Sequence, residues 1–293
     1  DRSRGLGDVY KRQAVGMLAD KIIENKGKKM VLVSLARAGI PIGILVKRYI
    51  KFKYGINVPH YSISIIRGRG IDDNAMKYLL EKYRPQQILF VDGWIGKGAI
   101  LNELKKDISA YEGVSADIAV VADPANVTEL CGTHEDILIP SSCLNSTVSG
   151  LISRTFLRDD IIGRDDFHGA VYYGELTDSD LSYDFIETIE KEFNMENTPD
   201  LEKRVESQGI DEVINIGKNF GIDDINLIKP GIGETTRVLL RRIPWKVLID
   251  ERYKGNPQLE HIVRLAEEKH TPVEYYPLTH YKCCGIIKKL ADA

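Results

Sequence analysis

The sequence has few cysteines, no marked excess of charge of either sign and no long apolar run, and each shortage excludes something. Its four cysteines, Cys131, Cys143, Cys283 and Cys284, are too few and too unevenly spaced for a disulfide framework or a CxxC-type zinc site. They read as free, mostly buried thiols. A net charge of -3 gives no general pull towards nucleic acid or membranes, so nucleic acid is not expected as a partner. No apolar run approaches the roughly 20 residues that span a bilayer, and the start carries no signal-peptide core, so no membrane partner is expected and the cytoplasm is the expected compartment. The acidic stretch 159–193 lacks the Asp-x-Asp-x-Asp-Gly run of a calcium loop and reads as a charged connecting face.

What is present is ordinary for a globular protein: 43% hydrophobic and 28% charged residues, in a chain long enough for one large domain and a smaller one. Residues 1–13 show no apolar periodicity and sit badly against the amphipathic helix that follows. They are set aside as a non-native, adaptor-derived segment, with native sequence ahead of Ala14 expected to be missing. Residues 14–195 form the expected large domain and 196–293 a smaller α/β region, with a soft boundary where the composition turns loop-like over 194–200. Apolar runs at 30–33, 61–66, 88–91, 118–122 and 137–139 read as strands between helical patterns, which predicts an α/β fold with an open, mostly parallel sheet and flanking helices.

The chain is organised around residues 88–100. Ile88 to Val91 make a short buried strand, Asp92 stands at its end, and a glycine-rich turn runs into a helix that begins near Ala99. Glycines let a backbone approach an anion, and a helix start offers unpaired N–H groups. Two residues, Trp94 and Ile95, separate Gly93 from Gly96-Lys97, which is too short for a Walker loop, and Leu101 stands where a dinucleotide fingerprint needs its third glycine. Further turns carry the same features. Arg37-Ala38-Gly39 is either a second anion loop or a plain strand–helix turn, and Arg67-Gly68-Arg69-Gly70 is either a mobile cationic loop or a solvent loop. The hydroxyl-rich run 141–150 either lines a polar pocket or packs a helix. Lys229 to Arg237 is a glycine-rich turn into a helix with Arg237 and Arg241 on one face, suited to a phosphate or to solvent. Asp123, before Pro124, is a turn former that in an open α/β sheet can also point into the ligand crevice.

The strings SLARAGIPIG (34–43), HYSISIIRGRGID (60–72), FVDGWIGKGAI (90–100), LIPSSCLNSTVSGLISRTFL (138–157) and LIKPGIGETTRVLLRRIPWKVLI (227–249) resemble the phosphoribosyltransferases of tellurite-resistance gene clusters, also labelled cysteine protease StiP family proteins. That resemblance places the chain in the type I phosphoribosyltransferase superfamily. It implies that Asp92 holds the ribose hydroxyls of phosphoribosyl pyrophosphate and meets the Mg²⁺ that bridges pyrophosphate and ribose. Gly93, Gly96, Lys97, Gly98 and Ala99 would cradle the 5′-phosphate, Arg37, Ala38 and Gly39 the pyrophosphate, and Arg67 and Arg69 fall where a flexible loop closes over the site. The general pattern carries two adjacent acids followed, after a short apolar spacer, by Thr-Thr-Gly or a near variant; here Gly93 replaces the second acid and Gly96-Lys97 the threonines. Lys97 can supply charge where a hydroxyl is lost. Some purine enzymes of the superfamily place a carboxylate base where Gly96 stands, so no general base is identified.

The expected reaction transfers ribose 5-phosphate to a base-like small-molecule acceptor and releases pyrophosphate, with Mg²⁺ as cofactor. A homodimer is left open. Two rivals stand beside it. One is a non-catalytic phosphosugar or nucleotide sensor. The other is a cysteine protease with Cys143 or Cys283 as nucleophile and His134 or His280 as base, although no papain- or caspase-like string surrounds either cysteine.

Overall fold

The computed structural model describes the backbone of residues 2–144, 146–196 and 205–289, with side chains from residue 11 onward. The first unit runs α1 (Arg2–Lys26), β1 (Val31–Ala36), α2 (Gly39–Tyr54), β2 (His60–Ile66), β3 (Gly70–Ile71), α3 (Asp73–Lys82), β4 (Ile88–Trp94), α4 (Ala99–Ile108), β5 (Ile118–Ala122) and β6 (Cys131–Thr133). A short helix α5 (Pro140–Cys143), a hairpin of β7 (Ile152–Phe156) and β8 (Gly169–Tyr172), and α6 (Ser182–Glu190) complete it. The second unit runs α7 (Gly209–Phe220), β9 (Ile228–Pro230), α8 (Ile232–Arg241), β10 (Pro244–Ile249), α9 (Glu260–Glu268), β11 (Val273–Tyr275) and β12 (Cys283–Ile287).

The main sheet has the order β3-β2-β1-β4-β5-β6, parallel throughout except for the β2–β3 pair. Strands buried on both faces need apolar side chains pointing both ways, which explains their unbroken apolar runs. Ile88 and Phe90 pack on one face with Val31, Val33, Leu101 and Leu104, while Leu89 and Val91 pack on the other with Leu18, Leu32, Ile42 and Leu45. The chain leaves β1 towards β2 on one side and returns to β4 on the other, so a crevice opens beyond the ends of β1 and β4. The expected α/β plan with a smaller C-terminal α/β portion is therefore what the chain forms. In the second unit a sheet ordered β11-β10-β12-β9 carries a core with Val213 and Ile216 of α7 on one side, and one with Leu239 and Ile262 of α8 and α9 on the other.

Several sequence expectations change. Helix α1 runs unbroken through the segment set aside as non-native. Strand β4 continues past Asp92 to Trp94, because pairing with β5 extends to Trp94 opposite Ala122. Residues 137–139 are not a strand; the neighbour of β5 is instead β6, whose Cys-Gly-Thr sequence carries too little apolar pattern to be seen. The apolar residues Ile225 and Leu227 lie in a 3₁₀ turn ahead of β9. Helix α7 and strand β12 had no counterpart in the sequence reading. Much of the loop-like boundary, 197–204, lies outside the described residues. No helix among those described is long and apolar enough to cross a membrane.

The two units meet through buried polar contacts. Asp136, 2% exposed, accepts from Ile232 N at 3.0 Å and from Lys282 N at 2.9 Å. It satisfies the first turn of α8 from outside its own unit. Lys282 Nζ reaches Glu135 at 3.1 Å, Tyr281 Oη donates to Gly96 O at 2.7 Å, and Lys97 Nζ donates to Ile225 O and Ile228 O at 2.9 and 3.0 Å.

Burial raises the Asp136 carboxyl from 3.8 to about 6, against the pull of its two N–H donors. The folded state thus binds the proton more tightly than the unfolded chain, so this group's share of stability is full below pH ~4 and lost as the pH rises through ~6. Asp136→Asn is expected to cost about 1–3 kcal/mol in urea unfolding at pH 4, since one N–H loses its acceptor. The gap between the two proteins should narrow between pH 4 and 6; a gap that stays constant would contradict the assignment.

Candidate functional site

The crevice beyond β1 and β4 is a cleft lined by Ala38, Arg67, Asp92, Trp94, residues 95–101, Ser142, Asn226, Lys229, Glu234 and Arg237 among others, with about 260 Å³ of internal space. It is built from both units. Residues from the ends of β1, β2 and β4 face the β9–α8 turn and the 3₁₀ turn before it.

Asp92 lies on β4, and its Oδ1 accepts from its own neighbour, Gly93 N, at 2.7 Å. Burial in the cleft pushes its carboxyl from 3.8 up to about 7, because that single hydrogen bond does not replace the lost water. The turn after β4 ends at Gly98, whose φ of 89° is left-handed and accessible to glycine at little cost, and α4 begins at the next residue. The N–H groups of that first turn have no intrahelical acceptors, and the residues that carry them, Ala99 to Leu101, line the cleft.

The loop after β1 lies hard against β4. A Cβ on Gly39 would collide with Val91 O and lie 3.1 Å from Asp92 Cα, so only glycine permits this approach. The Ala36–Arg37 peptide is cis, and Ser141 Oγ donates to Ala38 O at 2.8 Å. A Cβ on Gly93 would fall on Ser142 Oγ and lie 3.2 Å from Ile139 Cγ2. A side chain at 93, where the resembled pattern carries its second acid, would therefore meet α5. Ser142 Oγ is itself buried at the cleft without a hydrogen-bond partner.

Cations crowd this cleft. Arg37 is held below its usual range by burial and by the nearby Arg237 and Arg241. Lys97 is pushed down to about 8, chiefly by burial, then by Lys229, with a smaller push from Arg67. Only Asp92 and Glu234 oppose them among the lining residues, and Glu234 is already paired with Arg237 at 3.0 Å.

Of the residues expected at the site, Ala38, Arg67, Asp92, Gly96, Lys97, Gly98 and Ala99 line one cleft, Gly39 and Gly93 pack beside it against Asp92 and Ser142, Arg37 is outside the lining but near its Arg237, and Arg69 is an exposed residue of the β2–β3 turn outside the lining. That turn, expected as a mobile loop, is a hairpin tied to α4 through Gly68 N to Glu103 at 3.2 Å and Ile71 N to Asp107 at 2.8 Å. The Lys97 ammonium is committed to carbonyls of the second unit, which leaves its main chain as the part facing an anion. Lys229 and Arg237, open to either reading in the sequence, belong to the cleft. Trp94, Asn226 and Glu234 were not anticipated. Trp94 packs over Gly231, where a Cβ would lie 2.6 Å from its ring, and no local pattern announces a contact between units so far apart in sequence.

The thiol–histidine pairs expected for a protease do not form. All four cysteines are buried. Burial lifts the Cys143 thiol to about 11 and Cys283 well above its usual value, and their Sγ atoms donate to Pro140 O and Thr235 Oγ1. His280 bonds to Pro124 O and Ser207 Oγ, and His134 lies instead against Cys131.

Residues 9–190 match the family model described as tellurite-like stress resistance cysteine protease StiP, and residues 207–289 match that of the PELOTA RNA binding domain. The first match takes in the last part of the segment set aside as non-native. A protein of Acinetobacter baylyi named cysteine protease StiP is 32% identical over 299 residues, covering 95% of this chain and 77% of its own length. Solved structures overlap only loosely. A Bacillus anthracis hypoxanthine-guanine phosphoribosyltransferase has a TM-score of 0.31 at 17% identity, over 42% of this chain and 71% of that one. A hypoxanthine-guanine-xanthine phosphoribosyltransferase has 0.30 at 11%, over 58% and 94%.

If Ser142 Oγ occupies the place of a side chain at 93, Gly93→Ala should cost about 1–3 kcal/mol from overpacking. Combining it with Ser142→Gly should recover more than half of that loss in urea unfolding, whereas strictly additive losses would show that the two positions do not compete for one space.

Proposed function

The chain belongs to the StiP family, and from that membership and the geometry of the cleft we propose a phosphoribosyltransferase that uses phosphoribosyl pyrophosphate. The observation that carries this reading is the single cleft in which Asp92, the Gly96–Ala99 turn, Arg67, Lys229 and Arg237 meet. Crowded, partly buried cations favour a ligand of several negative charges, and a glycine turn at a helix start favours a phosphate.

In this reading the C1–O bond to pyrophosphate breaks, a bond from C1 to an acceptor nitrogen forms, and pyrophosphate leaves with the bonding electrons. Fixed positive charge on the leaving side is what such a departure needs, and Arg67, Lys229 and Arg237 supply it, with Arg37 behind them. The main chain of residues 96–99 holds the 5′-phosphate. Asp92 accepts from the ribose hydroxyls, and Ser142 Oγ stands beside it in the position that Gly93 leaves empty of acid.

Mg²⁺ fits this cleft as an ion that keeps most of its waters and takes one carboxylate plus substrate phosphates. Asp92 is the carboxylate for it: only its Oδ1 is engaged, and only by one N–H. When bound, the ion neutralises pyrophosphate charge.

The acceptor is base-like. Net charge gave no reason to expect nucleic acid, but the match of residues 207–289 to an RNA-binding model gives one, and Asn226, Lys229 and Arg237 of that region line the cleft. A base carried by RNA therefore joins free nucleobases as an acceptor to test.

Labelled phosphoribosyl pyrophosphate with Mg²⁺ is expected to bind and to pass its label to one of these acceptors. Binding should tighten as the pH rises through about 7, where Asp92 becomes ionised. Asp92→Asn should remove that slope and weaken binding by about tenfold or more, on the order of 1.4 kcal/mol. Binding without turnover would favour the sensor reading. Absence of binding, with no effect of Asp92→Asn, would overturn both.

A further inference from the structure

We propose that Asp123, Cys131 and His134 hold a transition-metal ion of the zinc type at the junction between the two units. The three residues come from the end of β5, the first position of β6 and the residue just beyond β6. One ligand atom from each lies within 4.8 Å of the other two.

The chemistry of the cluster is specific. Asp123 is fully buried; its Oδ2 accepts from Val127 N at 2.7 Å and Thr128 N at 2.8 Å, while Oδ1 is buried with no hydrogen-bond partner. A carboxylate oxygen withdrawn from water without a donor is costly, and a cation is what would satisfy it. The His134 Nδ1 lies 2.9 Å from the main-chain oxygen of Asp123. A carbonyl can only accept, so Nδ1 carries the proton and the lone pair is left on Nε2. That arrangement orients a metal-binding imidazole. Nε2 is 3.4 Å and Nδ1 3.8 Å from Cys131 Sγ, so the sulfur stands beside the ring, and the imidazole would turn to aim Nε2 and Sγ at one tetrahedral zinc ion, on which the two are about 3.5 Å apart. Thiolate, imidazole and carboxylate together suit zinc, and not magnesium or calcium.

The alternative use of the same three groups is a nucleophilic thiol with a histidine base and an orienting acid. Cys131 is wholly buried on the edge strand β6, packed into the core beneath the sheet, which gives a peptide no access, whereas a metal ion can enter beside the partly exposed His134 imidazole.

The place of the cluster gives the ion a structural role. The turn it would brace is where the second unit docks: Gly209 N donates to Ala125 O at 2.9 Å, Asn126 Nδ2 to Ser207 O at 3.0 Å, and His280 Nδ1 bonds Pro124 O at 3.1 Å. Binding would displace the thiol proton to solvent and place a dication between two anionic ligands and a neutral one.

The full chain, loaded with Zn²⁺ and dialysed, is expected to retain about one ion per molecule by elemental analysis and to melt at a higher temperature than the chelated protein. Co²⁺ in its place should give a thiolate charge-transfer band. Cys131→Ser and His134→Gln should each weaken binding by about tenfold or more, and Cys131→Ser should also abolish the band; His134→Gln changes a partly exposed side chain, so a folded variant remains even if the buried Cys131→Ser fails. No retained metal and no change in melting in the wild-type protein would overturn the proposal. Equal retention by a folded His134→Gln would do the same, as would peptide cleavage that zinc inhibits and Cys131→Ser abolishes.

Discussion

The Asp136 carboxylate, buried between the units, accepts from the Ile232 and Lys282 main-chain N–H groups and so fixes where the β9–α8 turn lies. A buried carboxylate tolerates that position only while its donors are in place. With Ile232 held, Gly231 lies under Trp94, and Lys229, Glu234 and Arg237 are delivered to the rim of the crevice that β1 and β4 open. Lys97 and Tyr281 repeat the arrangement from either side. Each donates to main-chain carbonyls of the other unit, one from the cradle and one towards it. The cradle is therefore not a feature of the first unit alone; its Gly96 carbonyl and Lys97 side chain are occupied by the second.

This joint construction explains the electrostatics of the cleft. The first unit brings Arg37 and Arg67, the second brings Lys229, Arg237 and Arg241, and burial first, then the nearness of these cations, depresses Arg37 and Lys97. Repulsion among partly buried cations works against docking, and the Lys97 ammonium offsets part of it by bonding to two carbonyls. Asp92 is the opposite case: burial, against a single hydrogen bond from Gly93 N, raises its carboxyl to about 7 in a cleft whose other walls carry cations. A polyanionic ligand would relieve the repulsion among the cations, and a cation beside Asp92 would relieve the burial of its charge.

How much of this was legible in the sequence depended on distance along the chain. The runs Ile88 to Val91 and Ile118 to Ala122 show as buried strands because a parallel sheet demands apolar residues at every position. The turns at Arg37, Arg67 and Gly96 show because glycine and arginine at strand ends are local signals. Strand β6, Cys-Gly-Thr, was invisible: it is short, and its glycine is required by Ala14 O, which a Cβ at Gly132 would strike. Trp94, Glu234 and the Asp123–Cys131–His134 cluster stayed hidden because they acquire meaning only from partners brought together by folding. The thiol–histidine pairs considered from the sequence failed for the same reason, since His134 faces a cysteine three residues away and not the two that were named.

At Gly93 the sequence departs from the pattern it resembles, and the packing of α5 shows what stands there instead. In the general pattern a second acid follows the first; here helix α5 is drawn against β4, with Ser141 bonded to Ala38 O and Ser142 Oγ where a side chain at 93 would begin. A second carboxylate in this position would add another desolvated charge beside one already raised to about 7, and two such groups would drive each other's proton affinity higher still. A hydroxyl avoids that cost and retains the capacity both to donate and to accept. What is lost is one negative charge, and the other carboxylate lining the same cleft is Glu234, brought from the second unit and paired there with Arg237. The docking of the second unit thus gives the cleft a second carboxylate, at a place other than position 93.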